Sequence, residues 1–239
     1  MKPTDHRVLI TGGATGIGFA LASKFHAFGN HVILVGRSGE ALARATAALP
    51  GAEACVSDLT RADHRSQLVE RYGDISILVN NAGVQVNGTI AGSSPTEIEN
   101  ELGINLVAPV LLARAYVPRL VTAPSAAIVN VSSALALVPK ENAAVYCATK
   151  AGLRSFSRAL RWQLEGTNVR VFELVPPLVD TAMTAGRGTS KMSPAHLADE
   201  FWRGFTSDRH EIVVGKARLL SLVNRLAPSL AERSMRRGG

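Results

Sequence analysis

The 239-residue chain contains only two cysteines, Cys55 and Cys147, far apart in sequence. That excludes a disulfide framework, and the pair lacks the close spacing of a zinc site. No apolar run reaches the ~18–20 residues that span a bilayer. The longest, 126–138, is interrupted by Asn130, Ser132 and Ser133. No apolar stretch precedes the first strand-like run, so the amino terminus does not read as a secretory signal. Aromatic residues are only 5% of the chain and do not interleave with basic ones, so nucleic acid is not an expected partner. The six histidines are scattered without His-x-x-x-His spacing, so no metal is expected. No Gly-x-Ser-x-Gly elbow occurs, which excludes a serine hydrolase of that type. These absences predict a soluble globular protein, with a reducing cytoplasmic location as the default.

Charge is uneven. Residues 1–120 are neutral overall, and the net charge of +7 comes entirely from 121–239. Near the carboxyl end, Lys216, Arg218, Arg225, Arg233, Arg236 and Arg237 face only Glu232. A solvated helix with a frayed end accounts for this without a nucleic-acid or lipid partner. Within it, Leu219, Leu222, Val223 and Leu226 form an apolar stripe at helical spacing. Packing against its own domain or a sister subunit ranks above contact with a membrane surface.

Nearly half the residues are apolar (46%), enough for a sizeable core. Short β-branched runs at 7–11, 31–35, 52–56, 75–80, 126–131, 169–175 and 210–214 alternate with helical stretches at 16–28, 40–49, 61–72, 96–120 and 144–165. Pro109 and Pro118 are candidate kinks in the longest helix. Because each parallel crossover needs a helix, the alternation predicts an α/β fold. The expected architecture is a doubly wound, Rossmann-type parallel sheet of about seven strands with helices on both faces, as one domain over 1–239. The irregular zone 176–194 follows a strand and reads as a substrate lid. Met183, Met192 and Trp202 suggest an apolar pocket beneath it.

Thr11-Gly12-Gly13-Ala14-Thr15-Gly16-Ile17-Gly18 joins the first strand to the first helix. Glycines there allow a tight turn and close backbone approach to a pyrophosphate at the helix amino terminus. No Lys-Ser/Thr follows, so a nucleoside-triphosphatase loop is excluded. Where an NAD-selective sheet places an acid for the ribose 2′-hydroxyl, Gly36 stands, followed by Arg37. This favours NADP(H) over NAD(H), which remains possible. Farther on, Tyr146 and Lys150 stand at i,i+4, on one helical face. An ammonium so placed favours the phenolate and lowers the phenol's pKa from ~10. Ser133 ends the fifth strand, Asn80-Asn81-Ala82-Gly83 closes the fourth, and Asn105 lies in the long helix.

Taken in chain order, the glycine loop, Asp58-Leu59, Asn80-Asn81-Ala82-Gly83, Asn105, Ser133, Tyr146 and Lys150 resemble the short-chain dehydrogenase/reductase family, in its compact single-domain branch. The resemblance covers nearly the whole chain. It implies that Tyr146 is the acid/base in carbonyl–alcohol interconversion on a mostly apolar small molecule. It implies that Lys150 tunes Tyr146 and holds the nicotinamide ribose, Ser133 hydrogen-bonds the substrate oxygen, and Asn105 positions a water leading from Lys150 to solvent. Cofactor contacts are implied for Thr11, Gly12, Thr15, Gly16, Ile17, Gly18 and Arg37, for Asp58 and Leu59, for Asn81, Ala82 and Gly83, and for Tyr146 and Lys150. After the sixth strand they are implied for Pro176, Val179 and Thr181. Pro176-Pro177 stands where the family usually has Pro-Gly, and the extra ring restricts the lid. The resemblance also implies a homodimer or homotetramer. A nucleotide-binding sensor or scaffold without turnover is the rival reading, and such proteins typically lose the Tyr or the Lys. Epimerases of the longer branch need a larger carboxy-terminal domain, and enoyl reductases space Tyr and Lys more widely.

Overall fold

The structure is a computed structural model that describes residues 1–236. Residues 237–239, including Arg237 of the basic tail, lie outside the described residues. In chain order the elements are β1 (Arg7–Thr11), α1 (Gly16–Ala27), β2 (His31–Gly36), α2 (Gly39–Ala48), β3 (Glu53–Val56), α3 (Ala62–Arg71) and β4 (Ile77–Asn80). They continue with α4 (Pro95–Leu102), α5 (Ala108–Leu120), β5 (Ala126–Val131), α6 (Ala144–Gln163), β6 (Val169–Val175), α7 (Pro194–Thr206), β7 (Glu211–Val213), α8 (Lys216–Leu226) and α9 (Pro228–Arg236). The strands form one parallel sheet in the order β3-β2-β1-β4-β5-β6-β7, the doubly wound arrangement expected from the alternation.

Both sheet faces are buried. Successive residues of a strand point to opposite faces, so Val8 and Ile10 of β1 join one core with α1, α2 and α7, while Leu9 joins the other with α3, α5 and α6. The apolar runs therefore read as continuous rather than alternating. The edge strands β3 and β7 depart from this, and β3 leaves Val56 exposed.

Trp202 does not lie in a lid pocket. It is buried where α7 packs along α1, edge-on to Phe25 at 5.3 Å and stacked on Phe28 at 4.4 Å. Helix periodicity puts it on the buried face of α7 with Phe201 and Phe205, in the core shared with α1.

The long helix expected over 96–120 is interrupted. Ser94 and Glu97 cap α4 reciprocally, and Gly103–Val107 forms one π turn before α5. Pro109 explains the widening. It has no N–H for the carbonyl of Asn105, four residues back, and its ring would crowd that carbonyl in a regular helix. Pro118 sits inside α5 without ending it.

The carboxy-terminal stripe does not pack into its own domain. Val223 is half-buried, but Leu219, Leu222 and Leu226 are exposed. Ala217, not the leucines, supplies the fully buried contact of α8.

A buried ion pair joins α6 to the sheet. Glu173 of β6 has no exposed surface. It accepts from Arg154 Nη1 at 2.7 Å and from Ser132 Oγ at 2.6 Å. Removing one member of such a pair strands the other in low dielectric. Arg154→Ala should therefore cost about 3 kcal/mol in urea unfolding at neutral pH, and a loss under ~1 kcal/mol would show that Glu173 is not dependent on it.

Candidate active site

The motif residues stand at the carboxyl ends of the strands. Thr11 to Gly18 follow β1, Arg37 follows β2, Asp58 and Leu59 follow β3, and Asn81 to Gly83 follow β4. Ser133 follows β5, and Pro176, Val179 and Thr181 follow β6. The order of the sheet brings these separate segments to one edge, with the crevice opening between β1 and β4, where the winding reverses.

The glycine loop is shaped by close approach. Gly12 and Gly16 adopt positive φ (63° and 55°), which glycine tolerates without a Cβ penalty. A Cβ on Gly18 would lie 2.1 Å from the Gly12 carbonyl oxygen, so α1 starts hard against the turn. Thr11 is buried, and its hydroxyl donates to Val79 O while accepting from the N–H groups of Asn81 and Ala82. Asn81 Nδ2 donates to the carbonyls of Thr11 and Gly12. Thr11 and the Asn81 side chain thus bind β1 to β4 and hold the loop, rather than presenting polar atoms to the crevice. Thr15 is exposed at the start of α1, and no acidic residue occupies the first turn, so the positive helix end stays uncompensated. Ile17, Ala82 and Gly83 are half-buried along the same crevice.

Arg37 is exposed beside Asp58, whose carboxyl is held below its usual range by the Thr60 hydroxyl and N–H, with Arg37 adding a smaller pull. Leu59 points into the core, and its carbonyl accepts from Arg65 at 2.7 Å. Across the crevice, a Cβ on Gly16 would meet Thr181 Cγ2 at 3.1 Å, so the segment after β6 lies directly over the glycine loop. Pro176 and Val179 are buried, and the Pro176 carbonyl accepts from Ala134 N–H at 3.0 Å.

Tyr146, Thr149 and Lys150 share the inner face of α6, in line with Leu153, Ser157 and Leu160. Lys150 Nζ donates to Val131 O at 2.9 Å and lies 5.7 Å from the centre of the Tyr146 ring. Asn105 is completely buried: Oδ1 accepts from Val84 N–H, while Nδ2 donates to Val84 O and Thr149 Oγ1. The amide clamps the irregular segment after β4 onto α6. Ser133 Oγ accepts from Leu135 N–H at 3.1 Å. Sequence reasoning therefore names a set of side chains that the fold assembles.

Burial dominates the electrostatics. It pushes the Tyr146 phenol up to about 12, with interaction from Ser133 working the other way. It brings Lys150 down to about 8, opposed by the charge of Glu101. Both shifts favour the neutral form. The lowering of Tyr146 by Lys150 expected from their spacing is thus reversed, because spacing counts the neighbouring charge and not the lost water.

Several supporting residues escaped the sequence reading. Asn80 donates to Asn130 at 2.9 Å, Asn130 to Ser157 at 2.9 Å, and Ser157 to Leu153 O. This polar seam ties β4, β5 and α6 together beneath the site. Its signal is an Asn at the end of one apolar strand, β4, and a lone Asn inside the next, β5. Glu101, four residues before Asn105, is also buried and accepts from Val86 N–H. Cys147 is buried, with Sγ near the N–H and carbonyl of Lys140.

The sequence pattern of the short chain dehydrogenase family matches residues 6–191. The chain belongs to this family. It is an oxidoreductase, and its relatives agree. It is 43% identical over 189 residues to the oxidoreductase DltE of Bacillus subtilis, covering 77% of this chain and 75% of that one. It is 36% identical over 223 residues to 1-deoxy-11-beta-hydroxypentalenate dehydrogenase of Streptomyces avermitilis, covering 85% and 82%. A short-chain dehydrogenase from Sphingobium yanoikuyae, solved in complex with NADPH, superposes with a TM-score of 0.83 at 29% identity, covering 95% of this chain and 96% of that one.

Because Lys150 loses its proton near pH 8 in the free protein, kcat/KM for the nicotinamide cofactor should fall above about pH 8. It reports ionisations of the free enzyme. Lys150→Arg should move that limb upward. A limb that appears only near pH ~10 would mean that the ammonium is not desolvated as described.

Proposed function

We propose that this short-chain dehydrogenase interconverts a carbonyl and a secondary alcohol on a mostly apolar small molecule, using NADP(H) in preference to NAD(H). The observation that carries the reading is the meeting of Tyr146, Lys150 and Ser133 at the crevice whose other side is the glycine loop.

The crevice suits a dinucleotide. The positive φ values of Gly12 and Gly16 expose backbone at the uncompensated start of α1, a setting that favours a pyrophosphate. Arg37, with Gly36 in place of an acid, suits a 2′-phosphate. Asp58 keeps one carboxylate oxygen clear of Thr60 for an adenine amino group. Thr181, packed against Gly16, and the backbone of Val179 would hold the cofactor's carboxamide beneath segment 176–194, which serves as the lid. A bound nicotinamide supplies or accepts the hydride.

The protein's own groups do the rest. A phenol at about 12 is protonated at neutral pH, so Tyr146 has a proton to give to a carbonyl oxygen becoming an alkoxide. Ser133 Oγ already accepts from Leu135 N–H, which leaves its own O–H to donate to that oxygen. Lys150 spends one donor on Val131 O and has others for ribose hydroxyls. Pro109 denies the Asn105 carbonyl its helical donor, leaving it able to accept from a water that resupplies protons through Lys150.

Tyr146→Phe should lower kcat for ketone reduction by roughly a hundredfold to ten-thousandfold while NADPH fluorescence titration is unchanged. Turnover retained by that variant would overturn the assignment. Titrations should also favour NADPH over NADH by about tenfold. Arg37→Ala should erase that preference, and an equal affinity in the parent chain would refute the role of Arg37.

A further inference from the structure

We propose that α8 and α9 form a docking surface for an anionic lipid bilayer, lying on it without crossing it. Leu219, Leu222, Leu226 and Leu230 are 53–74% exposed. At ~100° per residue, the three leucines of α8 fall within a sector of ~60° at the middle of its outward face. Arg218 and Arg225 flank that sector on one side and Lys216 on the other. An apolar centre between basic margins is the pattern of a helix lying in a bilayer interface, where long cationic side chains reach the headgroups.

Charge complementarity decides the occupant. Arg218 pairs with Glu200 and Arg236 with Glu141, but Lys216, Arg225 and Arg233 make no ion pair among the described residues. Glu232 is the one acid of this helix pair. A second copy of the chain on the same face would set these cations against their own equivalents, which opposes a two-fold contact. An anionic headgroup layer answers them. No helix among the described residues is long and apolar enough to cross a membrane, so the contact is superficial.

The surface adjoins the catalytic edge. Asn224 Nδ2 donates to Leu137 O at 3.2 Å, and Arg236 Nε reaches Glu141 at 3.0 Å, both in the segment between Ser133 and Tyr146. A Cβ on Gly215, just before α8, would lie 2.7 Å from Met192 and 3.5 Å from Pro177 of the lid. Leu178 and Met183 are exposed on that same lid segment. Resting here on the proposed function, docking would hold the substrate mouth at the bilayer surface, where an apolar carbonyl or alcohol concentrates.

The test is flotation of the full chain with phosphatidylcholine vesicles, with and without phosphatidylglycerol, at low and high salt. Binding should require phosphatidylglycerol and weaken as salt rises. The triple change Lys216→Gln, Arg225→Gln, Arg233→Gln should weaken it on the order of a hundredfold. Leu222→Ser with Leu226→Ser should also release the protein, with thermal unfolding unchanged as the control for folding. None of these readouts needs NADPH or turnover, so failure here is distinguishable from failure of the enzymatic reading. Absence of flotation by folded protein, or equal flotation without phosphatidylglycerol, would overturn the proposal. So would leucine variants that alter only the sedimenting mass, which would mark the face as a subunit interface.

Discussion

Parallel pairing of β1 with β4 is the constraint on which the site depends. The chain winds outward through β2 and β3, then returns across β1 to begin winding the other way. Every strand therefore ends at the same edge, and the loops leaving β1 and β4 diverge toward opposite faces. Thr11 and Asn81 fasten those two ends with a cluster of hydrogen bonds. Without that fastening, the positive-φ glycines would have no fixed partner, and α1 could not begin against Gly12.

A second tier of buried polar groups aims α6, the helix that carries Tyr146 and Lys150. The Asn80–Asn130–Ser157 seam fixes α6 over β4 and β5, Arg154 and Glu173 fix it over β6, and Asn105 with Thr149 fixes it to the π turn. Such networks carry high stakes in low dielectric, because an unpaired member keeps its desolvation cost. They also surround Tyr146 and Lys150 with protein in place of water. The same burial that orders these two side chains drives both toward neutrality, one upward and the other downward in pKa.

The outer surface divides by charge. The residues up to 120 balance, and the excess positive charge accumulates toward the carboxyl end. There α8 and α9 rest on the segment between Ser133 and Tyr146, with their leucines turned outward. An apolar stripe at helical spacing identifies a helix, but the direction in which the helix is rolled depends on which face its neighbours can accept. Here Ala217 and Ala231 fit the available contact and the larger leucines do not.

The sequence by itself determined the winding of the fold and the motif residues that gather at the carboxyl edge of the sheet. Strand period, helix period, glycine positions and the Tyr146–Lys150 spacing are local properties, written within a few residues. The π turn was half legible, since Pro109 announces a break but not that Asn105 sits in it. Tertiary structure alone decided that Trp202 joins the α1–α7 core, that Thr11 turns inward, that the carboxy-terminal leucines face out, and that burial raises the Tyr146 phenol. Each of these is set by what surrounds a side chain after distant segments meet. Desolvation and packing are sums over neighbours in space, and neighbours in sequence supply only a few of them.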